Sequence, residues 1–122
     1  MHACPTGAHS THNVYEAHCP CRALLELIAN KWTALAIGAL EDGALRFGEL
    51  RARLTGVSPK VLTQTMRRLE GSGMVTRTVF ASVPARVDYE LTAVGRSVAA
   101  PLRDLREWAE QHLDDVAAGQ LV

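Results

Sequence analysis

The amino-acid sequence predicts a mainly α-helical domain that carries one small β-hairpin. Three observations lead there. Apolar residues recur at helical spacing in five separate stretches. Only the segment from Val75 to Leu91 reads as a pair of strands around a proline turn. The chain has 122 residues, 48% of them hydrophobic, which suffices for one domain with a real core and is too short for two.

Taken in order, residues 1–18 are rich in His, Ser, Thr and Gly and have no period, so they read as a flexible arm ahead of a folded domain over 19–122. Leu24, Leu25, Leu27 and Ile28 suit a short helix from Cys21 to Ile28. A second helix is expected over Lys31 to Leu40, with Trp32, Leu35, Ala36, Ala39 and Leu40 on one face and Asp42-Gly43 as its stop. A third runs from Arg46 to Leu54 and turns Phe47, Leu50 and Leu54 inward. After the Thr55-Gly56 turn, Ser58 is an N-cap and Pro59 fills the first helical position, where its missing N–H costs nothing. That fourth helix faces Val61, Leu62, Thr65, Met66 and Leu69 inward, extends to Leu69 and ends at Gly71-Ser72-Gly73. Val75 to Ala81 and Arg86 to Leu91 favour strands, the second with strict alternation, joined through Pro84. Thr92 caps a last helix striped with Val94, Val98, Leu102, Leu105, Ala109 and Leu113. Pro101 inside it is expected to kink it.

The formal net charge is zero, yet the charges are segregated. From Arg46 to Arg86 there are eight bases (Arg46, Arg51, Arg53, Lys60, Arg67, Arg68, Arg77, Arg86) and two acids, Glu49 and Glu70. From Asp88 onward, three bases stand against seven acids. A basic middle beside an acidic end suits a DNA-reading module joined to a segment that does not read DNA.

The element order supplies a matching geometry. Two short helices joined by a tight turn and followed by a hairpin make a winged helix-turn-helix. The second helix of the pair, about 10–12 Å across, fits the major groove if its outer face is rich in donors. Ser58 to Leu69 offers such a face. Ser58 and Lys60 stand at its N-terminal end, where free backbone N–H groups favour phosphate. Gln64 is suited to adenine, Arg67 or Arg68 to guanine, and Thr63 offers a methyl or a hydroxyl. Arg77 and Arg86 on the hairpin are placed to reach phosphates or a minor groove, and Arg46 completes the basic set. Double-stranded DNA is the expected partner. A winged helix that binds protein instead of DNA stays open as an alternative, and steep salt dependence separates the two.

These residues resemble the HxlR-type winged-helix regulators. The resemblance rests on Cys19-Pro20, Asn30-Lys31-Trp32, Arg46-Phe47-Gly48-Glu49-Leu50, Val57-Ser58-Pro59-Lys60-Val61-Leu62-Thr63-Gln64, the run from Val83 to Thr92, and Trp108. It covers about residues 19–113. Ala29-Asn30 stands where such proteins usually have glycines, and Ala85 where a second proline is common. The resemblance implies a homodimer on a pseudo-palindromic operator, with the first and last helices at the dimer contact. Leu24, Leu102, Leu105 and Trp108 are then the interface residues. Half-sites about 34–36 Å apart follow from two-fold symmetry. Repression is the default for a small regulator without an activation domain.

The three cysteines, Cys4, Cys19 and Cys21, all lie near the N-terminus. An odd number does not describe a disulfide scaffold. Cys19 follows His18 at a helix start with Arg22 close behind, a setting that lowers a thiol pKa. The resemblance implies that a cysteine at this position responds to oxidants or electrophiles, with Cys21 and Cys4 as further thiols. A direct Cys19–Cys21 bond is expected to be strained within a helix. His9, His12, His18, Cys19 and Cys21 also form a weak soft-metal set that matches no standard zinc spacing. Sensing thiols, a metal site and inert thiols all stay open, and no cofactor is expected.

Enzyme chemistry finds no support. There is no phosphate-cradling glycine loop, no metalloprotease histidine pair and no nucleophile elbow. His18 and Cys19 are adjacent and would point apart on a helix. With neither an apolar run of about 20 residues nor an export signal in view, no membrane partner and a cytoplasmic location are expected.

Overall fold

The computed structural model describes residues 12–116 and 118–121. Helix α1 (Pro20–Ile28) and helix α2 (Lys31–Ala39) lead into a two-residue strand, β1 (Leu45–Arg46). Helices α3 (Phe47–Arg53) and α4 (Pro59–Gly71) follow, then strands β2 (Val75–Phe80) and β3 (Arg86–Leu91). Helix α5 (Ala93–His112) closes the fold, with 3-10 turns at Leu113–Asp115 and Ala118–Gln120.

The expected hairpin is the larger part of a three-stranded antiparallel sheet ordered β1-β3-β2. Leu45 pairs with Tyr89 and Arg46 with Asp88, so the sheet starts just before α3. A two-residue strand leaves no alternation to read, which is why the sequence shows only helix there.

The core is built where α2, α4, β2 and α5 converge. Ile37, Leu40, Leu50, Leu62, Met66 and Leu69 are fully enclosed, with Val75, Leu91, Ala99 and Leu102 beside them. Two expectations change here. On α2 the inward residues are Thr33, Ala36, Ile37, Ala39 and Leu40, whereas Leu35 is exposed. A helix apolar nearly all round does not announce its inner face, and contacts with its neighbours decide it. Leu102, expected at a dimer contact, is 5% exposed and belongs to the monomer's own core. The stripe on α5 therefore splits. Ala99 and Leu102 point inward, while Leu105 and Trp108 stay exposed.

The ends of the helices are held by side chains. Asn30 Oδ1 accepts from the N–H groups of Trp32 (2.9 Å) and Thr33 (3.3 Å), and Ser58 Oγ accepts from Val61 (3.1 Å). Helix α5 runs on through Pro101. Of the arm expected over 1–18, residues 1–11 lie outside the described part. Residues 12–18 form turns held by Arg22, whose Nε donates to the Val14 carbonyl (3.0 Å) and Nη2 to that of Tyr15 (3.3 Å).

Candidate nucleic-acid interface

Helix α4 buries Leu62, Thr65, Met66 and Leu69 against the core. At about 100° per residue, the opposite face carries Lys60, Gln64 and Arg67 in one line. All three are exposed. Thr63 and Glu70 flank that line on one side and Arg68 on the other. Ser58 is an exposed N-cap, so the helix presents its free N-terminal amides beside Lys60.

The Thr63 flank looks toward the sheet. A cleft of about 450 Å³ lies between α4 and the wing, lined by Thr63, Arg67 and Glu70 from the helix and by Arg77, Val87 and Tyr89 from the strands. Arg77 pairs across the sheet with Tyr89, so it shares the face turned to α4. Arg67 and Arg77 thus stand on opposite walls of one cleft. With Glu70 also in the lining, the cleft holds two guanidinium groups against one carboxylate and is net positive.

Arg86 is not part of that group. It sits opposite Phe80 on the other face of the wing, its guanidinium 4.4 Å from the centre of the Phe80 ring, and its Nε is 3.2 Å from Asp88 Oδ1. The same side chain that reads as a phosphate contact in sequence is engaged within the wing. Arg46, the N-cap of α3, is exposed, and its backbone N–H donates to Glu49 Oε1 at 2.8 Å. Arg68 is exposed on the flank of α4 away from the wing.

Exposed apolar residues also lie outside α4 and the wing. Leu24 on α1 and Leu105, Trp108 and Leu113 on α5 and the turn after it are exposed, Leu105 by 60% and Trp108 by 53%. Trp108 stacks on His112 with ring centres 4.7 Å apart. An apolar groove of about 250 Å³ runs there between Trp108, His112, Leu113, Val116 and Leu121.

The cysteine region differs from expectation in three ways. Cys19, expected at a helix start, is the N-cap of α1 in extended conformation, but it is buried, only 3% exposed. It is disulfide-bonded, while Cys21 is a free thiol whose Sγ lies 2.7 Å from Cys19 Sγ. The histidine near it is His12, whose Nδ1 is 3.7 Å from Cys19 Sγ, and Arg22 turns its guanidinium to backbone carbonyls instead. Cys4 and His9 lie outside the described residues. Among the described residues, no group of three or more His, Cys, Asp or Glu side chains is gathered as a metal site, and no helix is long and apolar enough to cross a membrane.

A helix with a capped N-terminus and a polar outer face, packed on α2 and β2 and flanked by a wing, has the form found in the class of helix-turn-helix transcriptional regulators. Residues 27–117 match the family model described as HxlR-like helix-turn-helix, and the chain belongs to that family. The uncharacterised HTH-type transcriptional regulator YtfH of Escherichia coli K12 is 36% identical over 106 residues, covering 87% of this chain and 84% of the relative. A solved structure named YtfH, from Salmonella typhimurium, matches with a TM-score of 0.83 at 35% identity, over 91% of this chain and 99% of its own. The oxidised form of a protein named redox regulator HypR matches with a TM-score of 0.71 at 34% identity, over 76% and 96% of the two chains. These relatives are named as regulators, and none points to an enzymatic family.

Proposed function

We propose that this transcription regulator works as a homodimeric repressor. In this reading α4 enters the major groove, and a redox-responsive cysteine, Cys19, controls DNA binding. The observation that carries the DNA reading is the exposed line of Lys60, Gln64 and Arg67, faced across the cleft by Arg77. Gln64 and Arg67 point at base edges, Ser58 and Lys60 take phosphate at the helix start, and Arg77 holds the backbone between helix and wing. Thr63, Arg46 and Arg68 stand at the margin of the contact. Arg86 acts mainly by shaping the wing.

The dimer reading is supported by the exposed apolar residues Leu24 on α1 and Leu105 and Trp108 on α5, none of which belongs to α4 or the wing. Control by Cys19 is supported by its bonded sulfur at the N-cap of α1, the helix that carries Leu24, and by the similarity to HypR. Small oxidants or electrophiles are the matching effectors.

Selection of bound sequences from a random DNA pool, run with reduced and with oxidised protein, tests the whole reading. A pseudo-palindrome enriched in one redox state only is the expected result. The double variant Gln64→Ala, Arg67→Ala should lose that preference and keep only salt-sensitive, sequence-blind binding. Unchanged selection by the double variant would show that α4 is not the reading helix.

A further inference from the structure

We propose that Cys21 is the relay thiol through which the buried sulfur of Cys19 exchanges with small thiols in solution. The proposal rests on the reading of Cys19 as redox-responsive and deepens it. Cys19 is 3% exposed and already bonded, so a dissolved thiolate is screened from it. Cys21 is partly exposed, is a free thiol, and places its Sγ 2.7 Å from Cys19 Sγ. It touches the buried sulfur on one side and solvent on the other.

The backbone makes this meeting. Two residues apart inside a regular helix, side chains diverge by about 200° around the axis. Cys19 escapes that geometry because it is the N-cap, with φ −74° and ψ 128°, and Pro20 begins the helix. The side chain of Cys19 therefore leaves from an extended residue, and Cys21 from the second helical position closes on it.

In the exchange, Cys21 gives its proton to solvent and its Sγ attacks Cys19 Sγ. A Cys19–Cys21 bond forms. The bond that Cys19 already holds breaks, and its electron pair leaves on the displaced sulfur, which takes up a proton. One disulfide is made and one is lost, so this step consumes no oxidant or reductant. An external thiolate then attacks the Cys21 end of the new bond, forms a mixed disulfide with Cys21 and releases Cys19 as a thiolate. A second molecule of that thiol removes the first as its oxidised dimer, which leaves Cys19 and Cys21 reduced.

The test uses the full chain, reduced glutathione as the probe, and the variants Cys21→Ser and Cys21→Ala beside the parent. Disulfide-bearing protein is mixed with glutathione, quenched in acid, alkylated and mapped by peptide mass spectrometry. The parent should pass through a peptide with a Cys19–Cys21 bond and then carry glutathione on Cys21. Both variants should lose the Cys19 disulfide about tenfold or more slowly, because the intramolecular step is gone. Equal rates in parent and variants, or glutathione on Cys19 alone, overturn the proposal. DNA affinity of oxidised and reduced protein answers the other question separately. If oxidation leaves affinity unchanged while the Cys19–Cys21 bond is trapped, the sensing reading falls and the relay stands. If oxidation changes affinity with no such bond trapped, the relay falls and sensing stands.

Discussion

Thr92 joins three parts of the fold with one hydroxyl. Its Oγ1 accepts a hydrogen bond from the Gly95 N–H at the start of α5 (3.1 Å) and donates to the Gly73 carbonyl in the turn between α4 and β2 (2.6 Å). The cap is legible in sequence, since a threonine precedes an apolar stripe. The second bond is not, because its partner is 19 residues away. Thr92→Val keeps the shape and removes both bonds. It should lower stability by about 2 kcal/mol, read as a shifted urea midpoint with unchanged slope. Gly95 gives a sharper case, because intrinsic propensity and packing predict opposite signs. Helix propensity favours alanine there by about 1 kcal/mol. A Cβ at that position, however, would collide with the Met74 carbonyl oxygen, which is backbone and cannot swing aside. Gly95→Ala is expected to destabilise by about 2 kcal/mol in the same measurement. Asn30, which in sequence is noted only against the family pattern, caps α2. Asn30→Ala should cost about 1 kcal/mol and Asn30→Gly only a few tenths.

Among the elements, the sequence was most informative where one face is polar. Helix α4 has a donor-rich side and an apolar side, and its buried residues are those expected apart from Val61, which is half-buried. Helix α2 lacks that contrast, so its inner face had to come from its neighbours. The wing shows a third limit. Alternation assigns Arg77 and Arg86 to strands, but only the register, Arg77 with Tyr89 and Phe80 with Arg86, shows that they face opposite ways. DNA binding by two single variants follows from that difference. Arg77→Ala should weaken operator binding about tenfold and flatten the salt dependence by about one unit. Arg86→Ala should cost less affinity, because its charge is already met by Asp88 and the Phe80 ring. Equal losses in a fluorescence-anisotropy titration would contradict this assignment. The cysteine region is hard to read from sequence for a related reason. Moving the helix start from Cys21 to Pro20 brings the helix up to Cys19 and makes that residue its N-cap.

At the scale of the molecule, α5 divides its work along its length. Its first half packs on α2 and the sheet through Ala99 and Leu102, and its second half leaves Leu105 and Trp108 exposed. Two substitutions on one helix should therefore fail differently. Leu102→Ala should destabilise the monomer by about 2–5 kcal/mol and lower the midpoint of unfolding. Leu105→Ala with Trp108→Ala should leave the helical circular-dichroism signal intact. It should weaken self-association by at least about 2 kcal/mol, seen by sedimentation velocity, and lower operator affinity with it. If the double variant sediments as the parent does, this surface is not the dimer contact.

Helix α5 is also gripped at its middle. Glu41, at the end of α2, takes both Arg103 and Arg106, and the Arg106 guanidinium lies over Gly38 and reaches the Ala34 carbonyl. One end of the 20-residue helix is fastened beside the C-terminus of α4 by Thr92, and the other carries Trp108. The helix is about 30 Å long, and in the proposed dimer it would act as a stiff lever arm between the DNA contact and the protomer contact. In the proposed dimer, a tilt of about 10° at the Trp108 end would sweep the far end by about 5 Å, more than the roughly 3.4 Å between neighbouring base pairs. A small adjustment between protomers would then move the reading heads out of step with the double helix by a whole rung.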